Sequence, residues 1–333
     1  MSTNDRFSPT AEILAGDHSD IYLLHALQIL TAEGMDPQVV MEIFPRRDGV
    51  LCGIEEVKAL LRQVLPTGST IWVLAEGESI QANEVVLRIQ GPYQAFVTYE
   101  TAILGILSQE SGWATAAHAC VQAAGEIPVI HFGARHVHPA VAPRLEYAAV
   151  IGGCRGCTTL AGAHLTGIDP AGTIPHALIL CFGDTVGAIE AFDRHIDRTI
   201  NRIALVDTLK DEAEESLRVA RALGERLHGV RLDTPVERGR VTPDLVTEVR
   251  ARLDQDGFTH VRIIVSGGID QARIALFCKR KAPVDLFGIG SAISSAPPLD
   301  FTADIKQVDG KPLAKRGRIP GITPNARLQA IDI

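Results

Sequence analysis

Aromatic residues are scarce in this chain. Phe, Trp and Tyr together make up 5% of 333 residues, with 2 Trp and 4 Tyr. The chain is nevertheless 46% hydrophobic, so its core is aliphatic and Ala-rich, and large enough for two domains. Basic residues are in deficit: 32 Lys and Arg stand against 40 Asp and Glu, a net charge of -8. That excludes a general nucleic-acid surface, which needs a basic face, but leaves room for a local anion site. Long apolar runs are missing, and none approaches the roughly 20 residues of a membrane span. The polar N-terminal stretch MSTNDRFSPTAE does not read as a signal peptide. The expectation is a soluble, cytoplasmic protein with no membrane partner. Cys52, Cys120, Cys154, Cys157, Cys181 and Cys278 are scattered through apolar segments, which suits reduced thiols rather than a disulfide framework. Cys154 and Cys157 form the one close pair. No second pair at zinc spacing accompanies them, so they read as small residues in a tight turn.

Residues 1–18 read as a poorly ordered lead. Ser19 or Asp20 then caps a helix with apolar positions at Ile21, Leu24, Leu27 and Leu30. A helix is expected over about 54–65, and the two strand-like runs after it, TIWVLA and EVVLRIQ, read as a small β module. A helical stretch rich in small residues runs from about Tyr99 to Ala124 and stops at Gly125. Beyond it the texture changes. Seven short apolar runs succeed one another: PVIHF, AVIGG, ALILCF, IALVD, GVRLD, VRIIVSGG and VDLFGIG. Amphipathic helical segments separate most of them. This predicts βα units and an irregular, TIM-like α/β barrel of about seven strands, with a doubly wound open sheet as the second choice. The expected domains are an N-terminal α/β domain over 1–125, a barrel over 126–299, and a tail over 300–333 that packs back on the first domain. The tail carries a hairpin signal at Asp309-Gly310.

Chemistry-bearing residues recur after the apolar runs. Asp207 follows IALV, Arg231 and Asp233 close GVRLD, Ser266-Gly267-Gly268 follows RIIV, and Gly288 and Gly290 lie in FGIGS. Glycine-rich turns at strand ends expose N–H groups that hold phosphate. Asp207 and Asp233 suit sugar hydroxyls, or a Mg²⁺ carried on a diphosphate and reached through water. Arg231 suits bidentate pairing with phosphate oxygens. Phe132 and Arg135 in FGAR suit a flat anionic ring, one stacking on it and the other forking onto a carboxylate. His176, in GTIPH, stands before an apparent strand and would face the same rim.

Taken in order, these segments resemble the nicotinate phosphoribosyltransferases of the type II phosphoribosyltransferase superfamily. SDIYLLHA, FPRR, ETAILGILSQES, FGARHVHP, GGCRGCTTLAG, GTIPHAL, LVDT, VRLDT, SGGID, FGIGS and DGKPLAKRGRIPG carry the likeness over nearly the whole chain. The resemblance implies an N-terminal α/β sandwich joined to an irregular barrel. It implies a homodimer or larger homo-oligomer with shared active sites. It also implies a reaction of nicotinate with phosphoribosyl pyrophosphate, giving nicotinate mononucleotide and pyrophosphate in NAD salvage, with Mg²⁺ and commonly with ATP as co-substrate. By the same resemblance Tyr22, from a neighbouring subunit, and Phe132 would sandwich the pyridine ring. Arg135 would hold its carboxylate, and Asp207 and Asp233 would bind ribose hydroxyls or Mg²⁺. Gly267, Gly268, Gly288 and Gly290 would cradle the 5′-phosphate, and His176 would be the phosphorylated histidine of ATP-coupled members.

Three other functions compete. One is the quinolinate (decarboxylating) enzyme of the same superfamily, whose Arg-Lys-Thr motif and His-Arg pair are not found here. Another is a nicotinamide phosphoribosyltransferase. Its aspartate in the glycine-rich segment is replaced by Thr158, whose hydroxyl is expected to donate to a substrate carboxylate. The third is a non-catalytic phosphosugar-binding relative, disfavoured by the joint presence of Arg135, His176, Asp207 and Asp233.

Overall fold

The computed structural model describes residues 6–333. The expected N-terminal lead falls partly on residues 1–5, outside the described residues. Within the rest of it a short helix, α1 (Ala11–Ala15), forms behind a Thr10 cap. The chain divides into two units. One comprises residues up to Thr115 together with Ala296–Ile333, and the other Ala116–Ser295. Among the described residues no helix is long and apolar enough to cross a membrane.

The first unit continues with α2 (Ile21–Ala32), β1 (Gln38–Pro45), β2 (Gly49–Val50), α3 (Ile54–Val64), β3 (Thr70–Val73), β4 (Ser79–Ile80), β5 (Leu87–Pro92) and the start of α4 (Glu100–Ala124). Asp20 occupies the N-cap of α2, as its residue type suggests, but its side chain makes no cap bond. It accepts instead from the Thr101 hydroxyl at 3.0 Å. The start of α3 is held from outside the helix: the Glu76 carboxylate accepts from the Gly53 and Glu55 N–H groups at 2.7 and 2.9 Å. Its buried stripe, Ile54, Val57, Leu60 and Leu61, has helical spacing and packs into the same core as Ile43, Ile71, Leu87 and Ile89 of the strands.

The second unit runs β6 (Val129–His131), α5 (Ala142–Ile151), α6 (Leu160–Thr166), α7 (His176–Phe182), α8 (Thr185–His195), β7 (Ile203–Leu205), α9 (Glu212–Leu223), β8 (Gly229–Leu232), α10 (Pro243–Gln255), β9 (Arg262–Val265), α11 (Gln271–Lys279), β10 (Leu286–Ile289) and α12 (Ser291–Ser294). Its sheet is wholly parallel, with strand order β6-β10-β9-β8-β7. Five strands form, not about seven, and the arrangement is consistent with a TIM-like barrel.

The two missing strands are helices. AVIGG is the end of α5, which has a proline in its first turn. ALILCF is nearly all of α7, which starts directly after Pro175 and ends at Gly183, with φ of 71°. Short apolar runs carry no periodicity that separates a strand from a buried helix, and Leu and Ala favour the helix.

The chain then returns to the first unit through β11 (Phe301–Val308), β12 (Lys311–Pro312) and β13 (Gln329–Asp332). The six-stranded antiparallel sheet there has the order β12-β11-β1-β5-β3-β13. β11 pairs with β1 from Val39 to Pro45, with one irregularity at Val40/Met41. The expected hairpin is real: Val308 pairs with Lys311 across Asp309-Gly310.

Candidate active site

Parallel strands bring their carboxyl ends to one edge, which is where α/β sheets bind ligands. At that edge Phe132 follows β6 directly, and Arg135 sits in the next turn. Asp207 follows β7, Asp233 follows β8, and Ser266-Gly267-Gly268 follows β9. Phe132, Arg135, Thr158, Thr159, Thr173 and Arg231 are among the side chains lining a cavity of about 650 Å³. Most of its remaining lining is aliphatic or proline. Such a cavity is of ordinary size for a small-molecule site.

Arg231 is the hub of the arrangement. Its Nε donates to Ser266 Oγ at 2.8 Å, Nη1 to Thr173 Oγ1 at 3.2 Å, and Nη2 to Asp233 Oδ2 at 2.9 Å. Its guanidinium carbon lies 5.0 Å from the centre of the Phe132 ring. Ser266 in turn donates to Asp233 Oδ1 at 2.8 Å. Both oxygens of Asp233 are thus engaged within the protein.

Asp207 differs. Its side chain is 1% exposed, and Oδ2 meets His176 Nε2 at 3.1 Å. Its Oδ1 has no partner, and neither does the buried hydroxyl of neighbouring Thr208. An unpartnered buried acceptor is uncommon and suits a ligand hydroxyl. The bond to Asp207 raises the His176 pKa above its usual value, with partial burial opposing it. His176 is the first residue of α7, not a residue preceding a strand.

The glycines divide into two kinds. Gly267 and Gly268 have φ of +83° and +64°, a conformation that side chains resist, and they border a cavity of about 220 Å³ with Asp233 and Arg240. Gly288 is different: a Cβ there would stand 2.3 Å from Phe132 Cε2. At Gly290 it would stand 2.7 Å from His136 Cε1. The absent side chains of Gly288 and Gly290 make room for Phe132 and His136.

One expectation needs correction, and the structure adds detail to three others. Thr158 lines the cavity, but its hydroxyl donates to the buried carboxylate of Glu146 at 2.7 Å, so its proton is not free for a substrate. Asp207 and Asp233 would meet a Mg²⁺ only through water or a diphosphate, as expected of them, and not as a direct protein cage. Among the described residues no group of three or more His, Cys, Asp or Glu comes together to hold an ion, and the Asp233 oxygens are already satisfied. Cys154 and Cys157 are buried thiols, and burial pushes Cys154 up to about 12. Tyr22 belongs to the first unit and is 59% exposed, and the role expected of it is one played from a neighbouring subunit.

Sequence reasoning missed Glu146, Thr159, Thr173 and Arg240. The available signal for Glu146 was a lone acid inside Leu145–Ala149, a run buried at every position.

Parallel strand ends that carry paired acids, a cavity-facing arginine and a positive-φ Gly-Gly turn define an α/β enzyme site for an anionic, hydroxyl-bearing ligand. Comparison with known proteins makes this specific. The N-terminal domain of quinolinate phosphoribosyl transferase matches residues 20–111, and its C-terminal domain matches residues 113–304. The chain belongs to this family, within the type II phosphoribosyltransferase superfamily. A solved nicotinate-nucleotide pyrophosphorylase from Pyrococcus furiosus is 42% identical, covering 98% of this chain and 85% of that one, with a TM-score of 0.89. A nicotinate phosphoribosyltransferase of Mycobacterium tuberculosis is 32% identical over 246 residues, 72% of this chain and 52% of the relative. A probable carboxylating nicotinate-nucleotide pyrophosphorylase of Methanothermobacter thermautotrophicus is 24% identical over 272 residues, 81% of this chain and 89% of the relative. The chain spans about half the length of the first of these curated relatives.

These findings overturn the reading of the sequence as a nicotinate enzyme. Both matching domains are those of the quinolinate enzyme, and the 42% identical structure is a nicotinate-nucleotide pyrophosphorylase. The ordered motifs that suggested the nicotinate enzymes belong to a scaffold the two groups share.

Proposed function

We propose that this protein transfers the phosphoribosyl group of phosphoribosyl pyrophosphate to quinolinate. The products are nicotinate mononucleotide, pyrophosphate and CO₂. The observation that carries this reading is one small cavity holding two guanidinium groups, Arg135 and Arg231, among largely apolar walls. A pyridine bearing two adjacent carboxylates is planar, apolar on its faces and doubly anionic at one edge. Guanidinium groups match carboxylates geometrically, and walls poor in water strengthen the pairing.

In this assignment Arg135 and Arg231 orient the ring so that its nitrogen faces the ribose. The free Oδ1 of Asp207 accepts a ribose hydroxyl, and the turn at Gly267-Gly268 receives the 5′-phosphate beside Arg240. Pyrophosphate leaves the anomeric carbon as the ring nitrogen bonds to it, through an oxocarbenium-like state. The protein contributes orientation and charge placement rather than a nucleophile of its own. The ring nitrogen is then cationic. The 2-carboxylate departs as CO₂, its bonding electron pair stays on the ring carbon beside that nitrogen, and a solvent proton replaces it. Magnesium enters here as the counter-ion of the diphosphate, and no step is assigned to it.

The test is turnover of phosphoribosyl pyrophosphate and Mg²⁺ with quinolinate, nicotinate or nicotinamide, with release of ¹⁴CO₂ from 2-carboxyl-labelled quinolinate as the readout. Label release equal to mononucleotide formed is expected. Preferential use of nicotinate, with no release from quinolinate, overturns the reading.

A further inference from the structure

Glu146 sits on α5 and is 0% exposed. Its carboxylate accepts from four donors that all belong to two adjacent residues. Thr158 N–H and Oγ1–H reach Oε1 at 2.6 and 2.7 Å. Thr159 N–H is shared between Oε1 and Oε2 at 3.2 and 3.3 Å, and Thr159 Oγ1–H reaches Oε2 at 2.5 Å. Thr159 Oγ1 also accepts from Gly162 N–H at 2.9 Å, capping α6. Gly162 is shaped to the same carboxylate: a Cβ there would stand 2.0 Å from Glu146 Oε2. Thr158 and Thr159 both line the 650 Å³ cavity, while Glu146 does not.

A hydroxyl has one proton to give. With both threonine protons committed to Glu146, each hydroxyl can offer a ligand only a lone pair. We infer that Glu146 is a positioning residue that fixes the Thr158-Thr159 wall of the cavity as hydrogen-bond acceptor only. The wall thereby disfavours carboxylates and leaves them to Arg135 and Arg231. This rests on the proposed pyridine dicarboxylate reading, but it concerns which way such a ring lies in the cavity and not whether it is turned over.

Glu146→Gln separates the possibilities. A glutamine amide keeps one acceptor oxygen and brings two donors, so at least one threonine hydroxyl must turn and present its proton to the cavity. A carboxylate then gains a second place to bind, in an unproductive orientation. By calorimetric titration without phosphoribosyl pyrophosphate, pyridine-2,3-dicarboxylate should bind Glu146→Gln about tenfold more tightly than wild type, in keeping with one hydrogen bond to a charged group. If wild type turns the compound over, kcat and KM for it should fall together in the variant. KM for phosphoribosyl pyrophosphate should stay within about twofold, a small effect on the scale where tenfold is about 1.4 kcal/mol. A purely structural role would raise KM instead.

Thr158→Val provides a second reading that does not depend on the first variant folding. Its binding of pyridine-2,3-dicarboxylate should be unchanged or tighter. Weaker binding by Thr158→Val, or unchanged affinity in a folded Glu146→Gln, overturns the inference. Absence of wild-type turnover counts against the proposed function alone, because the binding comparison still decides the role of Glu146.

Discussion

His131 ends β6 with both ring nitrogens buried and without a partner, and the side chain is 0% exposed. Burial lowers its pKa from 6.5 to about 4, against the opposing pull of Glu146. The folded protein therefore resists protonating a group that the unfolded chain protonates readily below about 6.5. Between those two values the unfolded state binds more protons, so stability rises with pH and is lost as pH falls. Each pH unit in that window corresponds to about 1.4 kcal/mol. Taken from neutral pH to about 4, the loss is about 3 kcal/mol, a large part of the stability of an ordinary domain. His131→Leu removes the titration and keeps an apolar group of similar bulk. Hydrogen exchange of the peptide covering residues 127–135, followed in both proteins from pH 7 to pH 4, isolates the effect from every carboxylate they share. The wild type should lose about 3 kcal/mol of local protection relative to the variant. Parallel curves for the two proteins would refute the reasoning and would mean that His131 takes up its proton in the folded state.

Three further outcomes are expected from the site. Arg231→Met should destabilise the protein by about 3 kcal/mol, because it leaves the largely buried Asp233 carboxylate without its cation. The double variant with Asp233→Asn should recover more than half of that loss, and additive losses in denaturant melts would show the pair to be uncoupled. Gly288→Ala should displace Phe132, cost about 1–3 kcal/mol and raise KM for the pyridine substrate, since the new methyl has nowhere to go; a variant crystal structure with Phe132 unmoved would contradict this. The raised pKa of His176 means that its bond to Asp207 stabilises the fold most below the unfolded value and ceases to do so as pH rises through the folded one. His176→Gln should accordingly flatten the decline in melting temperature on the alkaline side of about pH 6.5; an unchanged slope would remove His176 from the linkage.

Much of the second unit can be read from the chain. IALVD, GVRLD, VRIIVSGG and VDLFGIG contain strands because each is short, continuous and apolar, and the residues just after each strand form the rim. ALILCF has the same texture and is a helix, because Pro175 starts it and Gly183 stops it, and periodicity is silent over so few residues. The residues of the rim are legible, but their partners are not. Nothing in the order of Arg231, Ser266 and Asp233 says that the arginine and the serine hydroxyl both hold the acid. Thr158 looks like a donor until Glu146, 12 positions earlier on another element, is seen to take its proton. The choice between nicotinate and quinolinate was missed for a related reason. The motifs compared were those of a shared scaffold, whereas Arg135 and Arg231, 96 positions apart, are seen to line one cavity only in the folded chain.

The sheet of the first unit begins with β1 at Gln38 and is finished by β13, which lays Gln329–Asp332 against Thr70–Val73. Between those strands the chain builds the whole of the second unit. During synthesis at about 5–20 residues per second, β1, β3 and β5 therefore wait on the order of 15–60 seconds for their last neighbours. Until then Val39–Pro45 and Thr70–Val73 present open edges, the kind of surface that pairs with other chains. The second unit has no such delay, since all its strands lie within one continuous stretch. The order of assembly on the ribosome is thus set by the topology: the half that carries the cavity can close first, and the half that is made first is the last to be sealed.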